Sequence, residues 1–184
     1  KCETYNKLEL YTLYFMIHTP RSIRWNRIVR DIPKGHIFGG NDNVNMNQEL
    51  GPVLKKLGLR SMCIRSREIG NTKYDKNNVR ELIEKSYAHG GLEYFLEIEA
   101  LDVNICGLLR LRIDPMAGYD NDNEVLNPEI KGCALIRELH VYGEVTPTFK
   151  VVIDVKNTQH SGFGRRLLAK AINIARYHGL KKIA

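Results

Sequence analysis

From residue 93 onward the apolar positions alternate. In "EYFLEIEA" (93–100) Tyr94, Leu96 and Ile98 fall on one side and Phe95, Glu97 and Glu99 on the other; in "ICGLLRLRI" (105–113) Leu109, Leu111 and Ile113 oppose Arg110 and Arg112. A period of two belongs to a strand, so these stretches are expected to form an antiparallel pair turning through "LDVN". A loop rich in Asp, Asn and Gly (114–132) leads to a third strand, "CALIRELHVYG" (133–143), and "FKVVIDV" (149–155) reads as a further short strand or an ordered loop. Then the period lengthens. Phe163, Leu167, Leu168, Ala171, Ile172 and Ala175 recur at about four residues, which gives one apolar helix face, and Gly179 supplies the stop before a last strand begins at "KKIA".

The first half is less regular. "KLELYTLYFMIHTPRSI" (7–23) predicts a helix ending near Pro20, and "QELGPVLKKLGL" (48–59) a short helical pattern interrupted by Gly51 and Pro52. In "RWNRIVRDIP" (24–33) the spacing of arginines suits a helix face, while Pro33, Ile28 and Val29 suit an extended segment; both stay open. "NNVRELIEKSYAHGG" (77–91) predicts a helix with an Asn cap, with Val79, Leu82, Ile83 and Tyr87 on one face and the two glycines as its stop. The fold class expected is α+β, a mixed sheet with flanking helices, with a boundary near residue 90 between a basic segment (1–90) and a sheet domain (91–184).

Charge sharpens that division. Residues 1–90 hold 16 Lys/Arg against 9 Asp/Glu, and residues 91–184 hold 12 of each, so the whole net charge of +7 lies in the first half. Uncompensated positive charge on one part of a chain fits a polyanion, because neutralising phosphates releases counterions; a solvated basic surface is the plainer reading. Arg21, Arg24, Arg27, Arg30 and Lys34, three or four apart, are the cluster concerned. With 43% hydrophobic residues in 184 the chain can bury a core. No apolar run approaches a membrane span and the start shows no signal-peptide order, so nothing points to export. Cys2, Cys63, Cys106 and Cys133 are far apart and read as reduced thiols of the cytosol or nucleus.

The chemistry concentrates at "QHSGFGRR" (159–166). Gly162 and Gly164 allow close approach of a ligand to the backbone, and the first amides of the following helix have no partner of their own, so an anion is expected there. A P-loop would need Lys followed by Ser or Thr, and a dinucleotide loop would need Gly where Leu167 stands. The spacing present is Q-x-x-G-x-G, through Gln159, Gly162 and Gly164, and with the strand and helix order around it this stretch resembles the Gcn5-related acetyltransferase superfamily. "IRELHVYG" (136–143), "QHSGFG" (159–164), "RIVRDIP" (27–33), "RSREIG" (65–70) and "GLLRLR" (107–112) together resemble the family of catalytic subunits of the Elongator complex.

That resemblance implies a radical S-adenosylmethionine domain joined to an acetyltransferase-like domain, tRNA as substrate, and acetyl-CoA used to build a carboxymethyl-type group on C5 of the wobble uridine. It implies other Elongator subunits as partners and leaves a homodimer open. The implied coenzyme contacts are Glu138, Leu139, His140 and Val141 on the third strand and Gln159, His160, Ser161, Gly162, Phe163, Gly164 and Arg165 at the loop; the implied tRNA surface is the basic first half. Three departures limit it. The iron-sulfur cysteine cluster is not in this chain, so that cofactor and S-adenosylmethionine belong upstream. Ser61 and Ser66 stand where relatives' zinc ligands would be, and Cys63 by itself cannot hold zinc, so no metal is expected. The tyrosine-bearing last segment of the family lies past Ala184.

Alternatives remain at the side chains. Glu138 is a candidate base acting through water, or the partner of Arg110 or Arg137. On a plain alternation it shares a side with His140, Ile136 and Tyr142. Arg165 and Arg166 reach a phosphate or face solvent; Arg65 and Arg67 touch RNA or form a salt bridge. The functions that follow are an acetyl-CoA-dependent tRNA modification enzyme, a scaffold that binds tRNA or partner subunits, or a protein lysine acetyltransferase.

Overall fold

The computed structural model describes residues 7–26, 34–36, 38–39, 43, 45–143 and 162–184. The chain forms two compact units, 1–67 and 68–184. The basic half is therefore cut back: residues 1–67 hold 12 Lys/Arg against 5 Asp/Glu and residues 68–184 hold 16 of each, so the entire +7 goes with the smaller unit.

In residues 1–67, α1 (Lys7–His18) and α2 (Met46–Lys56) form a small core from Met16, Met46, Leu50 and Leu54, with Leu13, Ile17 and Trp25 against it. Pro20 follows α1, where Thr19 turns its hydroxyl back to the Phe15 carbonyl at 2.6 Å. α2 continues through Gly51 and Pro52 rather than breaking there. Its i, i+4 stripe of Met46, Leu50 and Leu54 is fully buried, and that burial offsets the hydrogen bond that proline removes. The single-turn α3 (Ile64–Arg67) is laced to residues 21–26: Ile64 N–H donates to Ile23 O at 3.0 Å, and Trp25 N–H donates to the Cys63 thiol at 3.0 Å.

Residues 68–184 contain a five-stranded sheet in the order β1-β2-β3-β4-β5: β1 (Val79–Ala88), β2 (Gly91–Ala100), β3 (Ile105–Ile113), β4 (Cys133–Val141) and β5 (Lys182–Ile183). The first four are antiparallel neighbours, and β5 joins β4 in parallel after the crossover helix α4 (Phe163–Tyr177). The expected helix at 77–91 is in fact β1, and it belongs to the sheet unit rather than to the basic segment. Val79, Ile83 and Tyr87 satisfy a period of four, yet Val79, Glu81, Ile83, Lys85 and Tyr87 also form one face of a strand. The tie is broken by the turn: His89 at φ 48° and Gly90 at φ 75° make the two-residue hairpin loop that right-handed strand twist favours, so the glycine closes a hairpin and does not stop a helix.

α4 covers one face of the sheet. Phe163, Leu167, Ala171 and Ala175 are buried as the periodicity requires. Gly107 on β3 permits the close approach: a Cβ there would stand 3.2 Å from His140 O and 3.3 Å from Leu167 Cδ1. Leu96, Leu109, Leu111 and Ile98 are buried beneath. Among the described residues no helix is long and apolar enough to cross a membrane. The stretch 149–155 lies outside the described residues.

Candidate functional site

The mouth of α4 is set by Gly162. Its φ of 74° is a left-handed conformation that a side chain would strain, and it carries no group to cap the helix. The first intrahelical bond runs from Arg166 N–H to Gly162 O at 3.0 Å, so the amides of Phe163, Gly164 and Arg165 precede the ladder. Among the described residues, a Cβ at Gly162 would meet nothing within 4 Å. Gly164 fits against β4, where a Cβ would lie 3.6 Å from Val141 Cγ2. Three amides and the positive end of a 15-residue helix thus converge beside the end of β4, an arrangement suited to an anion.

The two arginines of this turn part company. Arg166 donates through Nη2 to Glu81 Oε1 of β1 at 2.6 Å, lies over the Phe163 ring with 5.4 Å to its centroid, and is held there with Lys170 at 4.0 Å from the same carboxylate. Arg165 is exposed and makes no ion pair among the described residues. Of the two, Arg165 is the cation left for a ligand at the helix mouth. The helical spacing of Val79, Ile83 and Tyr87 hides Glu81; the alternation Val79, Glu81, Ile83 is the signal that places it on the α4 side of the sheet.

β4 carries a bulge. Arg110 pairs with Glu138 but Leu111 pairs with Ile136, so Arg137 is the extra residue. The bulge corrects the simple alternation: Ile136 joins Leu139 and Val141 on the α4 side, whereas Glu138, His140 and Tyr142 stay together on the opposite face. Glu138 accepts from Arg110 Nε at 3.0 Å, and the Arg110 guanidinium lies 5.2 Å from the Phe95 ring centroid. Of the two partners considered, Arg110 takes Glu138, and Arg137 donates instead to Glu93 at 2.8 Å. His140 is exposed and its ring lies against Tyr142, with centroids 4.3 Å apart. β5 pairs with β4 only at Cys133 and Ala134, with Ile136 N–H reaching Ala184 O at 2.6 Å. Past that point the outer edge of β4, residues 138–141, has no strand partner among the described residues.

The remaining candidates divide. Gln159, His160 and Ser161 lie outside the described residues, as do Arg27, Arg30 and the side chain of Lys34. Arg24 is exposed and Arg21 half-buried. Arg67 is completely buried, donating to Met62 O at 2.8 Å and Arg21 O at 3.0 Å; it is a structural strut and not an RNA contact. Arg65 donates to Asn26 O at 2.9 Å. Among the described residues no three His, Cys, Asp or Glu side chains gather as metal ligands. Cys106 is buried in β3, and desolvation pushes its thiol up to about 11.

No family model matches the chain. Individual proteins do. Elongator complex protein 3 of Drosophila melanogaster is 38% identical over 173 residues, covering 90% of this chain and 30% of that protein. The tRNA uridine(34) acetyltransferase of Methanocaldococcus jannaschii is 34% identical over 174 residues, covering 89% of this chain and 30% of the relative. The solved structure of the archaeal Methanocaldococcus infernus Elp3 with an N-terminal deletion superposes with a TM-score of 0.75 at 31% identity, over 95% of this chain and 41% of that one. The chain therefore spans about 30% of the length of the curated relatives it matches. Through 90% of its residues the chain belongs to the family that holds Elongator complex protein 3 and the tRNA uridine(34) acetyltransferases.

Proposed function

We propose that this segment binds acetyl-CoA and contacts tRNA within an acetyl-CoA-dependent enzyme that modifies C5 of the wobble uridine, on the way to a carboxymethyl-type group. The observation that carries the reading is the mouth of α4, where, among the described residues, the amides of Phe163, Gly164 and Arg165 have no intrahelical partner and lie beside Val141. Those amides and Arg165 would take the pyrophosphate, with Gln159, His160 and Ser161 completing the loop. The edge of β4 at 138–141, which has no strand partner among the described residues, offers backbone groups to the pantetheine arm. Bound there, the coenzyme supplies an activated acetyl thioester. Arg110 orients the Glu138 carboxylate on the face opposite α4, and a carboxylate so held can accept a proton through water.

The tRNA contact falls to residues 1–67, which hold the whole net charge. The names of the relatives support the same substrate and an assembly with other Elongator subunits. An iron-sulfur cluster and S-adenosylmethionine would be held by parts of the relatives that this chain does not match, and the setting would be cytosolic or nuclear. The test is calorimetry of the full-length protein with coenzyme A, followed by thioester consumption with and without tRNA. Binding, with consumption only when tRNA is present, is expected. Absence of coenzyme binding overturns the reading, and tRNA retention without thioester loss assigns a scaffold instead.

A further inference from the structure

β1 is an edge strand of 10 residues, and its outer side has no strand partner among the described residues. Its hairpin to β2 closes on Ala88 opposite Gly91 with no register shift, and a two-residue loop closes on a hydrogen-bonded pair. The backbone groups of Arg80, Leu82, Glu84, Ser86 and Ala88 are therefore directed at β2. Those of Val79, Glu81, Ile83, Lys85 and Tyr87 are directed outward. The side chains of this outward set share the α4 side of the sheet, as the pairing of Ile83 with Leu96 and the contact of Glu81 with Arg166 show. Ile83 is 46% exposed and Tyr87 72%.

An open edge with exposed apolar residues is a template for another strand, and proteins ordinarily blunt it with charge. Here the charges do not blunt it against itself. We propose that β1 pairs antiparallel with β1 of a second copy of this chain, about a two-fold axis at Ile83. In that register Ile83 faces its own copy, Glu81 faces Lys85 of the other chain in two symmetric ion pairs, and Val79 faces Tyr87 twice. All five outward-directed residues then meet outward-directed residues, which is what ladder hydrogen bonds require. On the opposite face Arg80 meets Ser86 and Leu82 meets Glu84, so no like charges are brought together. A slip of one pair is disfavoured either way: it sets Glu84 against its own copy, or Glu81 against Ile83. A symmetric surface that complements itself is what a two-fold homodimer needs. Glu81 keeps its Arg166 and Lys170 contacts, so each carboxylate ends among cations from both chains.

Sedimentation velocity of the full-length protein over a concentration series tests this. A concentration-dependent dimer is expected. Ile83→Lys, which sets two like charges on the axis, and Glu81→Lys, which sets cation against cation at both symmetric pairs, are each expected to weaken it about tenfold or more. The exchange Glu81→Lys with Lys85→Glu is expected to restore it, and circular dichroism reports whether each variant is folded. A protein that is monomeric at every concentration overturns the proposal. So does a dimer that both single variants leave unchanged, and so does a charge exchange that folds and fails to restore the dimer.

Discussion

The two units treat their cations differently. In residues 68–184, where charge balances, several arginines are engaged by carboxylates: Arg80 with Glu99 at 2.9 Å, Arg110 with Glu138 at 3.0 Å, Arg112 with Glu93 at 2.8 Å and with Asp114 at 2.6 Å, and Arg166 with Glu81 at 2.6 Å. Glu93 foremost, with Asp114, raises the Arg112 pKa above its usual value. In residues 1–67, which hold the whole net charge, Arg65 and Arg67 donate to backbone carbonyls. A guanidinium bonded to a carbonyl still projects a positive field, whereas one bonded to a carboxylate does not. Net charge therefore marks the unit with a field to offer a polyanion. In the neutral unit the proposed anion site is made of backbone amides.

That contrast can be broken at several points, beginning with the largest effect. Phe163, 1% exposed at the first position of α4, anchors the helix mouth to the sheet. Phe163→Ala should lower stability by about 3–5 kcal/mol, measured by denaturant unfolding. An effect under about 1 kcal/mol would mean that the mouth is not fixed by the core.

Next comes the proposed coenzyme site. Arg165→Ala should weaken coenzyme A binding about tenfold, whereas Arg166→Ala, already committed to Glu81, should change it less than about threefold. Calorimetry that ranks them the other way would assign the anion to the arginine that faces β1.

For the basic unit the measurement is salt dependence. Arg24→Gln should lower the slope of log affinity for tRNA against log salt by about 0.7–0.9, equally for all tRNAs, while Arg166→Gln leaves it unchanged. Equal slopes in both variants would erase the division of labour.

The smallest effect is alkaline. The Cys106 thiol ionises near 11 when folded against an ordinary 9.0, so the folded state holds its proton more tightly. Stability from this group is complete below about pH 9 and declines as pH rises towards 11. Cys106→Ala should flatten that decline in thermal melts across the same window.

Much of the sheet unit was legible beforehand. Alternation in 93–100 and 105–113 gave β2 and β3 with their turn, and the stripe from Phe163 to Ala175 gave α4 and its buried face. Each of these patterns admits one period over several turns or pairs. β1 does not, since its apolar spacing suits both periods; the choice was made by His89 and Gly90 adopting a hairpin loop and by β2 offering a full row of partners. The bulge at Arg137 was likewise hidden, because a single extra residue in a ladder leaves no mark in composition.

What the chain determined by itself was local: where the backbone must turn, which faces are apolar, where two glycines free the start of a helix, and which half carries the charge. What only the tertiary structure decided was pairing. It took Arg110 rather than Arg137 for Glu138, turned Arg166 to Glu81 and left Arg165 at the helix mouth, and it sent Ile136 to the α4 side. The physical reason is range: periodicity and turn preference act over a few neighbours, whereas ion pairs and strand register join residues up to 85 positions apart.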